Sequence, residues 1–208
     1  MPETISYKTL ERSASAEIVV KKSRFIANAF PVSSEEQTQT LIEKMKKQYY
    51  DARHNCYAYR IGKDGKTFRY SDDGEPQGTA GIPMLDVLRG ENITEALIVV
   101  TRYFGGILLG TGGLSRAYSG AAKEGILSAG VIEKRLCREI IITADYSLHG
   151  KLTYFLANNS CKIIDTAFTD KITITAAAPA ETAEKTAAEV INITNGKASA
   201  VLGESFFE

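Results

Sequence analysis

The sequence predicts an α+β protein of two domains, over residues 1–136 and 137–208. Three observations carry this. In the first half, pairs of β-branched runs are separated by single helical patterns, not by a strict alternation of strand and helix. Five glycines (Gly105, Gly106, Gly110, Gly112 and Gly113) fall within nine positions, between an apolar strand and a small-residue helix. From residue 137 onward the pattern reads βαββαβ, the ferredoxin-like split unit.

Residues 16–20 and 24–30 read as a strand pair with Lys21-Lys22-Ser23 as the polar break. Ser33-x-x-Glu36 has capping-box spacing, and the helix behind it sets Leu41, Ile42, Met45 and Tyr49 on one face. Residues 55–61 and 67–71 form a second strand pair around the turn Gly62-Lys63-Asp64-Gly65-Lys66. After the polar loop 72–78, a short helix is expected over 79–89, with Pro83 in its first turn and Gly90 at its end. An apolar strand at 96–102, the glycine loop, a helix over 114–129 and a strand over 131–136 complete the domain. In the second domain, strands are expected at 139–144, 162–167, 171–177 and 198–206. Helices are expected at 148–158 and from Pro179 through Ile193, the latter ended by Asn195-Gly196.

Formal net charge is zero, which removes a global polyelectrolyte argument for nucleic-acid binding. The charge is uneven, however. Residues 1–137 carry 19 basic and 16 acidic side chains, and residues 138–208 carry 6 and 9. The first domain is therefore the anion-facing one. Cys56, Cys137 and Cys161 are odd in number and form no C-x-x-C pair, so disulfides and zinc are not expected and a cytoplasmic setting is. Residues 1–17 hold no apolar signal-peptide core, and no apolar run is long enough for a membrane.

Strand, glycine loop, helix is the arrangement that aims backbone N–H groups and a positive helix end at an anion. Arg102 and Arg116 bracket the loop and could both bond phosphate. The loop lacks the Gly-Lys-Ser/Thr of a Walker A motif and the spacing of a dinucleotide fingerprint. Gly113-Leu114-Ser115-Arg116-Ala117 lacks the second glycine of a hydrolase elbow. Tyr103-Phe104 could offer a stacking surface or could close the core at the strand end. Asp72, Asp73 and Glu75 could hold Mg²⁺, or could form a solvated turn bonded to its own backbone. Asp51-Ala52-Arg53-His54-Asn55-Cys56-Tyr57-Ala58-Tyr59-Arg60 is dense in functional side chains. It permits a Cys–His dyad at Cys56 and His54, against the plainer reading of Cys56 as a small buried hydrophobe.

Three blocks in order, residues 51–58, 71–81 and 99–114, resemble the signatures of the IMPACT family in its bacterial YigZ-type branch. The resemblance implies an N-terminal fold like a ribosomal-protein second domain and domain IV of elongation factor G. It implies a C-terminal domain like domain V of that factor. Eukaryotic members regulate translation through a protein partner and carry an extra domain that this sequence does not show. No catalytic residue and no cofactor follow from the resemblance. The leading expectation is a non-catalytic RNA- or ribosome-binding regulator of translation. Arg53, His54, Arg60, Arg102, Tyr103 and Arg116 would contact phosphate, with Gly105, Gly106, Gly110, Gly112 and Gly113 cradling it. The alternatives are a Mg²⁺-dependent phosphate-handling enzyme, with a nucleotide on the glycine loop, and an adaptor for a translation factor or regulatory protein.

Overall fold

The computed structural model describes residues 5–208, so the first four positions of the 1–17 reading and of the domain 1–136 lie outside it. Tyr7–Glu133 packs as one unit, and Lys134–Glu208 with residues 5 and 6 packs as another.

The first unit takes in all but the first residue of β1 (Ser6–Leu10), followed by β2 (Ala14–Val20), β3 (Ser23–Pro31), α1 (Glu35–Gln48), β4 (His54–Ile61), β5 (Thr67–Ser71), α2 (Gly81–Gly90), β6 (Ala96–Tyr103) and α3 (Thr111–Ala129). Its sheet runs β2-β3-β6-β4-β5 with antiparallel neighbours. Side chains alternate between faces along each strand. On one face Ala27, Ala29, Cys56, Ala58, Ile98 and Val100 meet Leu85 and Leu88 of α2 and Tyr118, Ala121 and Ala122 of α3. On the other, Tyr59, Ile61, Leu97 and Val99 meet Ile42 and Met45 of α1. Each fully buried Leu, Ile or Val of these two cores stabilises the fold by roughly 1.5–3 kcal/mol. Small residues set the helix-to-sheet spacing: a Cβ on Gly125 of α3 would stand 3.1 Å from that of Ala27.

Local chemistry explains the boundaries. The β2–β3 turn is tighter than the sequence predicts. Val20 pairs with Ser23, leaving only Lys21 and Lys22 in the turn, both left-handed at φ 45° and 66°. α1 is capped one residue later than Ser33: Ser34 Oγ accepts from the Gln37 amide at 3.1 Å, and Gln37 Oε1 accepts from the Ser33 amide at 2.9 Å. α3 begins at Thr111, not Leu114, because its opening glycines are helical. β1 was not expected from the sequence. It is held by a parallel bridge from Lys8 to Ile93 and by the Thr94 amide donating to the Lys8 carbonyl at 2.9 Å.

β7 (Val131–Ala144) is one strand where two were expected. It leads into a 3-10 turn (Tyr146–Leu148), α4 (His149–Asn158), β8 (Lys162–Phe168), β9 (Ile172–Pro179), α5 (Ala183–Ile193) and β10 (Ser199–Phe207). In its five-stranded sheet the order β10-β7-β9-β8, antiparallel throughout, is the ferredoxin-like arrangement with its first strand central, and the start of β1 adds to β7 as the fifth strand. Ile140, Ile142, Ile172 and Ile174 pack on Leu152, Leu156 and Val190. Pro179 closes β9 instead of opening α5. Asn195 and Gly196, both left-handed, follow α5 as expected. Among the described residues no helix is long and apolar enough to cross a membrane.

Candidate nucleic-acid interface

The glycine loop runs from the end of β6 into α3. Gly110 caps the helix at φ 69°, a conformation that favours glycine, and no side chain supplies a cap. Leu114 is the first residue to bond back, its amide donating to the Gly110 carbonyl at 2.9 Å. The amides of Thr111, Gly112 and Gly113 therefore open the helix on the N-terminal side, where the macrodipole is positive. Gly105 serves a different purpose. A Cβ there would lie 2.0 Å from the Lys22 carbonyl carbon, so only glycine lets the loop rest on the β2–β3 turn. Its amide donates to Ser23 Oγ at 3.1 Å.

That contact brings in two residues that the sequence reading did not select, Lys21 and Lys22. Left-handed turns of two residues are normally filled by Asn and Gly. Two lysines in that conformation are a strained choice, and strain of this kind concentrates at functional positions. The sequence carries no signal for it, since Lys21-Lys22-Ser23 reads as a three-residue polar break and the two-residue turn shows only in the backbone. Arg116, one turn into α3, is exposed, as is Arg53 just before β4. Among the described residues Lys21, Lys22, Arg53 and Arg116 have no ion-pair partner.

Arg102 is not at this surface. It continues the inward row of Ala96, Ile98 and Val100, and is 6% exposed. Its Nη1 donates to Glu75 Oε1 at 2.7 Å, and Tyr118 Oη donates to the same oxygen at 2.8 Å. The guanidinium carbon lies 5.4 Å from the Phe25 ring centre and 5.5 Å from that of Phe104. Its Nε has no partner among the described residues. Burial pushes the Tyr118 phenol up from its ordinary value. The expectation that Arg102 contacts phosphate is thus corrected by strand parity, which turns its side chain under the helices.

Arg60 is corrected for the same reason. On the Cys56-Ala58-Arg60 row, its Nη1 donates to the Ile93 carbonyl at 2.8 Å, and its Nε to the Gly65 carbonyl at 3.4 Å. It lies at the far end of β4, roughly 20 Å from His54 at 3.3 Å per residue. His54 itself lies at the loop end, opposite Arg102 in the β4–β6 register. Its Nδ1–H donates to the Asp73 carbonyl at 2.9 Å. Tyr103 is half-buried, donates to Asp51 Oδ1 at 2.7 Å, and has its phenol pushed up by that hydrogen bond. The Arg24 guanidinium lies 5.6 Å from its ring centre. Phe104 is 51% exposed, so of the two aromatics it is the one that opens to solvent.

Of the two alternatives for Asp72, Asp73 and Glu75, Mg²⁺ ligands or a turn bonded to its own backbone, the first requires carboxylates that converge, and these do not. Asp72 accepts from the amides of Gly78, Ala80 and Gly81 at 2.8, 3.0 and 2.8 Å. It caps α2 from a distant position in the chain, because Ala80 has no side chain to do so. Asp73 accepts from the Asn55 amide at 2.7 Å and from Lys46 Nζ at 2.9 Å. Glu75 faces inward to Arg102. Among the described residues no group of three metal-ligating side chains forms. The Mg²⁺ alternative at Asp72, Asp73 and Glu75 is corrected accordingly, and the other alternative, carboxylates bonded to nearby backbone, is what Asp72 and Asp73 form. The Cys56–His54 dyad is absent too. The Cys56 thiol is fully buried, donates to the Asp72 carbonyl at 2.9 Å, and lies 3.4 Å from Tyr118 Oη. Burial pushes it up to about 12, far from a nucleophile.

Residues 21–126 match the Impact N-terminal domain, and residues 142–197 match a domain of unknown function, DUF1949. The chain is 39% identical to the IMPACT family member YvyE of Bacillus subtilis over 96% of its own length and 92% of the relative's. It is 34% identical to the IMPACT family member YigZ of Escherichia coli, covering 85% and 88%. The Dictyostelium discoideum IMPACT homolog matches at 42% identity over 45% of this chain and 28% of that protein. A solved structure described as a crystal structure of an hypothetical protein aligns with a TM-score of 0.62, at 31% identity, over 96% of this chain and 98% of its own. With both domain matches in order and relatives aligned over nearly its full length, the chain belongs to the IMPACT family.

Proposed function

We propose that this protein is a non-catalytic regulator of translation that binds RNA, free or in the ribosome, through the glycine-loop end of its first unit. One observation carries the reading. A helix N-terminus without a side-chain cap, built on glycine, is flanked by Lys21 and Lys22 on one side and Arg116 on the other, and these cations are unpaired among the described residues. Backbone amides plus loose cations suit phosphate, which needs charge and N–H donors but no fixed acceptor geometry. Arg53 extends this cationic edge, with His54 beside it at the start of β4, and the Tyr103 hydroxyl ties residue 51 to it. Gly106, Gly110 and Gly112 face open space and leave the phosphate seat clear, while a Cβ on Gly113 would stand 3.1 Å from that of Leu109. Cys56 is protonated and buried, and the nearby carboxylates are engaged with backbone or cation, so the chemistry supported is binding.

The test is sedimentation of the protein with ribosomal particles at low and moderate salt. The variant is Lys21→Glu/Lys22→Glu/Arg116→Glu, since Arg102 is structural and its loss would disturb folding. Co-migration that salt weakens and the triple variant abolishes is the expected result. Migration as free protein under both salts, or binding unaffected by the variant, overturns the reading.

A further inference from the structure

The loop that carries the phosphate seat is unusually apolar at its tip. Phe104, Ile107 and Leu108 are 51%, 41% and 82% exposed. They stand between the cations of the β2–β3 turn and Arg116 on α3. Cations alone would suit any nucleic acid. An A-form duplex, however, presents ribose and phosphate outward and keeps its base faces stacked, so three apolar side chains pressed against it would gain little. A single strand offers unstacked base faces beside its phosphates, and aromatic and aliphatic side chains fit those faces. Arg102 supports this geometry from below. Its buried guanidinium lies 5.5 Å from the Phe104 ring centre, while half of that residue's surface is open to solvent.

From this placement we infer that the interface selects single-stranded over duplex RNA, with one base stacked on Phe104 beside Leu108 and a neighbouring phosphate at the start of α3. The inference rests on the RNA-binding reading above. Apolar tip and charged rim act together: Lys21, Lys22 and Arg116 supply the salt-dependent attraction, and Phe104 and Leu108 supply the discrimination.

The experiment titrates full-length protein with a labelled mixed-sequence 12-nucleotide RNA, with the blunt duplex of the same sequence, and with polyglutamate, followed by fluorescence anisotropy. Single-stranded RNA is expected to bind about tenfold or more tighter than the duplex, since one stacked base is worth roughly 5- to 150-fold. Polyglutamate should bind weakly. The chain contains no tryptophan, so Phe104→Trp places a single indole on the loop. Its emission should be quenched by the single strand and not by the duplex. Leu108→Ser, at a site too exposed to affect folding, should weaken single-strand binding and leave duplex binding unchanged. Equal affinity for the two RNAs overturns the inference while leaving RNA binding intact. So does an unquenched indole at saturating single strand. Binding of neither RNA, or tightest binding of polyglutamate, overturns the RNA reading and this inference together.

Discussion

Removing the Glu75 carboxylate should destabilise the first unit more than any surface substitution would. The side chains of Arg102 and Glu75 are 7% and 3% exposed, and their N···O separation is 2.7 Å. Glu75→Ala leaves a buried guanidinium whose Nε already lacks a partner among the described residues. Breaking such a pair by removing one member costs about 3–5 kcal/mol. The Tyr118 hydroxyl loses its acceptor as well, which adds about 1–3 kcal/mol unless water enters. A total of about 4–8 kcal/mol rivals the whole stability of a small domain. Arg102→Met alone strands the carboxylate, at about 3–5 kcal/mol. The double variant Glu75→Leu/Arg102→Met removes both charges and should recover most of the loss, falling within about 2 kcal/mol of wild type. Urea unfolding with far-UV circular dichroism gives the free energies, and amide exchange in β4 and β6 assigns the transition to this unit. A Glu75→Ala loss below about 1 kcal/mol, or single losses that simply add in the double variant, would refute the argument.

Other expectations follow from the same geometry. Asp72→Ala removes the acceptor for three backbone amides and should cost about 2–4 kcal/mol, with Asp72→Asn costing roughly half, measured in the same urea titration. The Cys56 thiol stays protonated in the folded state to about 12, while the unfolded thiol ionises near 9.0. Its contribution is therefore complete below pH 9 and declines as pH rises through that window, by at most about 1.4 kcal/mol per pH unit. Cys56→Ala should flatten part of the slope, and the phenol of Tyr118, raised in the same sense, should leave the remainder. Gly112→Ala should have opposite effects on two readouts. A methyl there meets nothing within 4 Å, so helix stability rises by up to about 1 kcal/mol, while RNA affinity falls because the methyl enters the phosphate seat. A variant that loses stability, or that binds as wild type, contradicts this.

Much of the fold was readable because it rests on local periodicity. The ferredoxin-like order followed from alternating runs such as Ile140, Ile142 and Ala144, whose inward row is buried as the pattern requires. β1 was hidden because its stabilisation is non-local, through Ile93 and Thr94 far along the chain. The continuity of β7 was hidden as well, because the less apolar residues 137 and 138 read as a break. The site was half legible. Its glycines stand out, yet residue type alone points Arg102 and Arg60 to the surface, where strand parity does not put them. The alternation that places Cys56 and Ala58 inward also places Arg60 inward, and that of Ile98 and Val100 does so for Arg102. Lys21 and Lys22 are hidden for the converse reason: they read as ordinary turn polarity, and only the backbone shows them in the left-handed region.

The glycine loop therefore joins two separable requirements. Gly105 answers to the protein itself, since any larger residue would collide with the Lys22 backbone and lift the loop off the turn. Gly110 answers to the protein too, through its left-handed conformation. Gly112 answers to neither, having ordinary helical geometry and open space where a side chain would stand. A helix gains from alanine at such a place, so the bare backbone is a cost that folding does not explain. Beneath it, Arg102 and Glu75 hold β6 and the 72–81 loop together with a charge pair that solvent does not reach. The arrangement places one cation where it fixes the loop and leaves others where a ligand can find them. A surface that only closed the core would need the first and would have no use for the second.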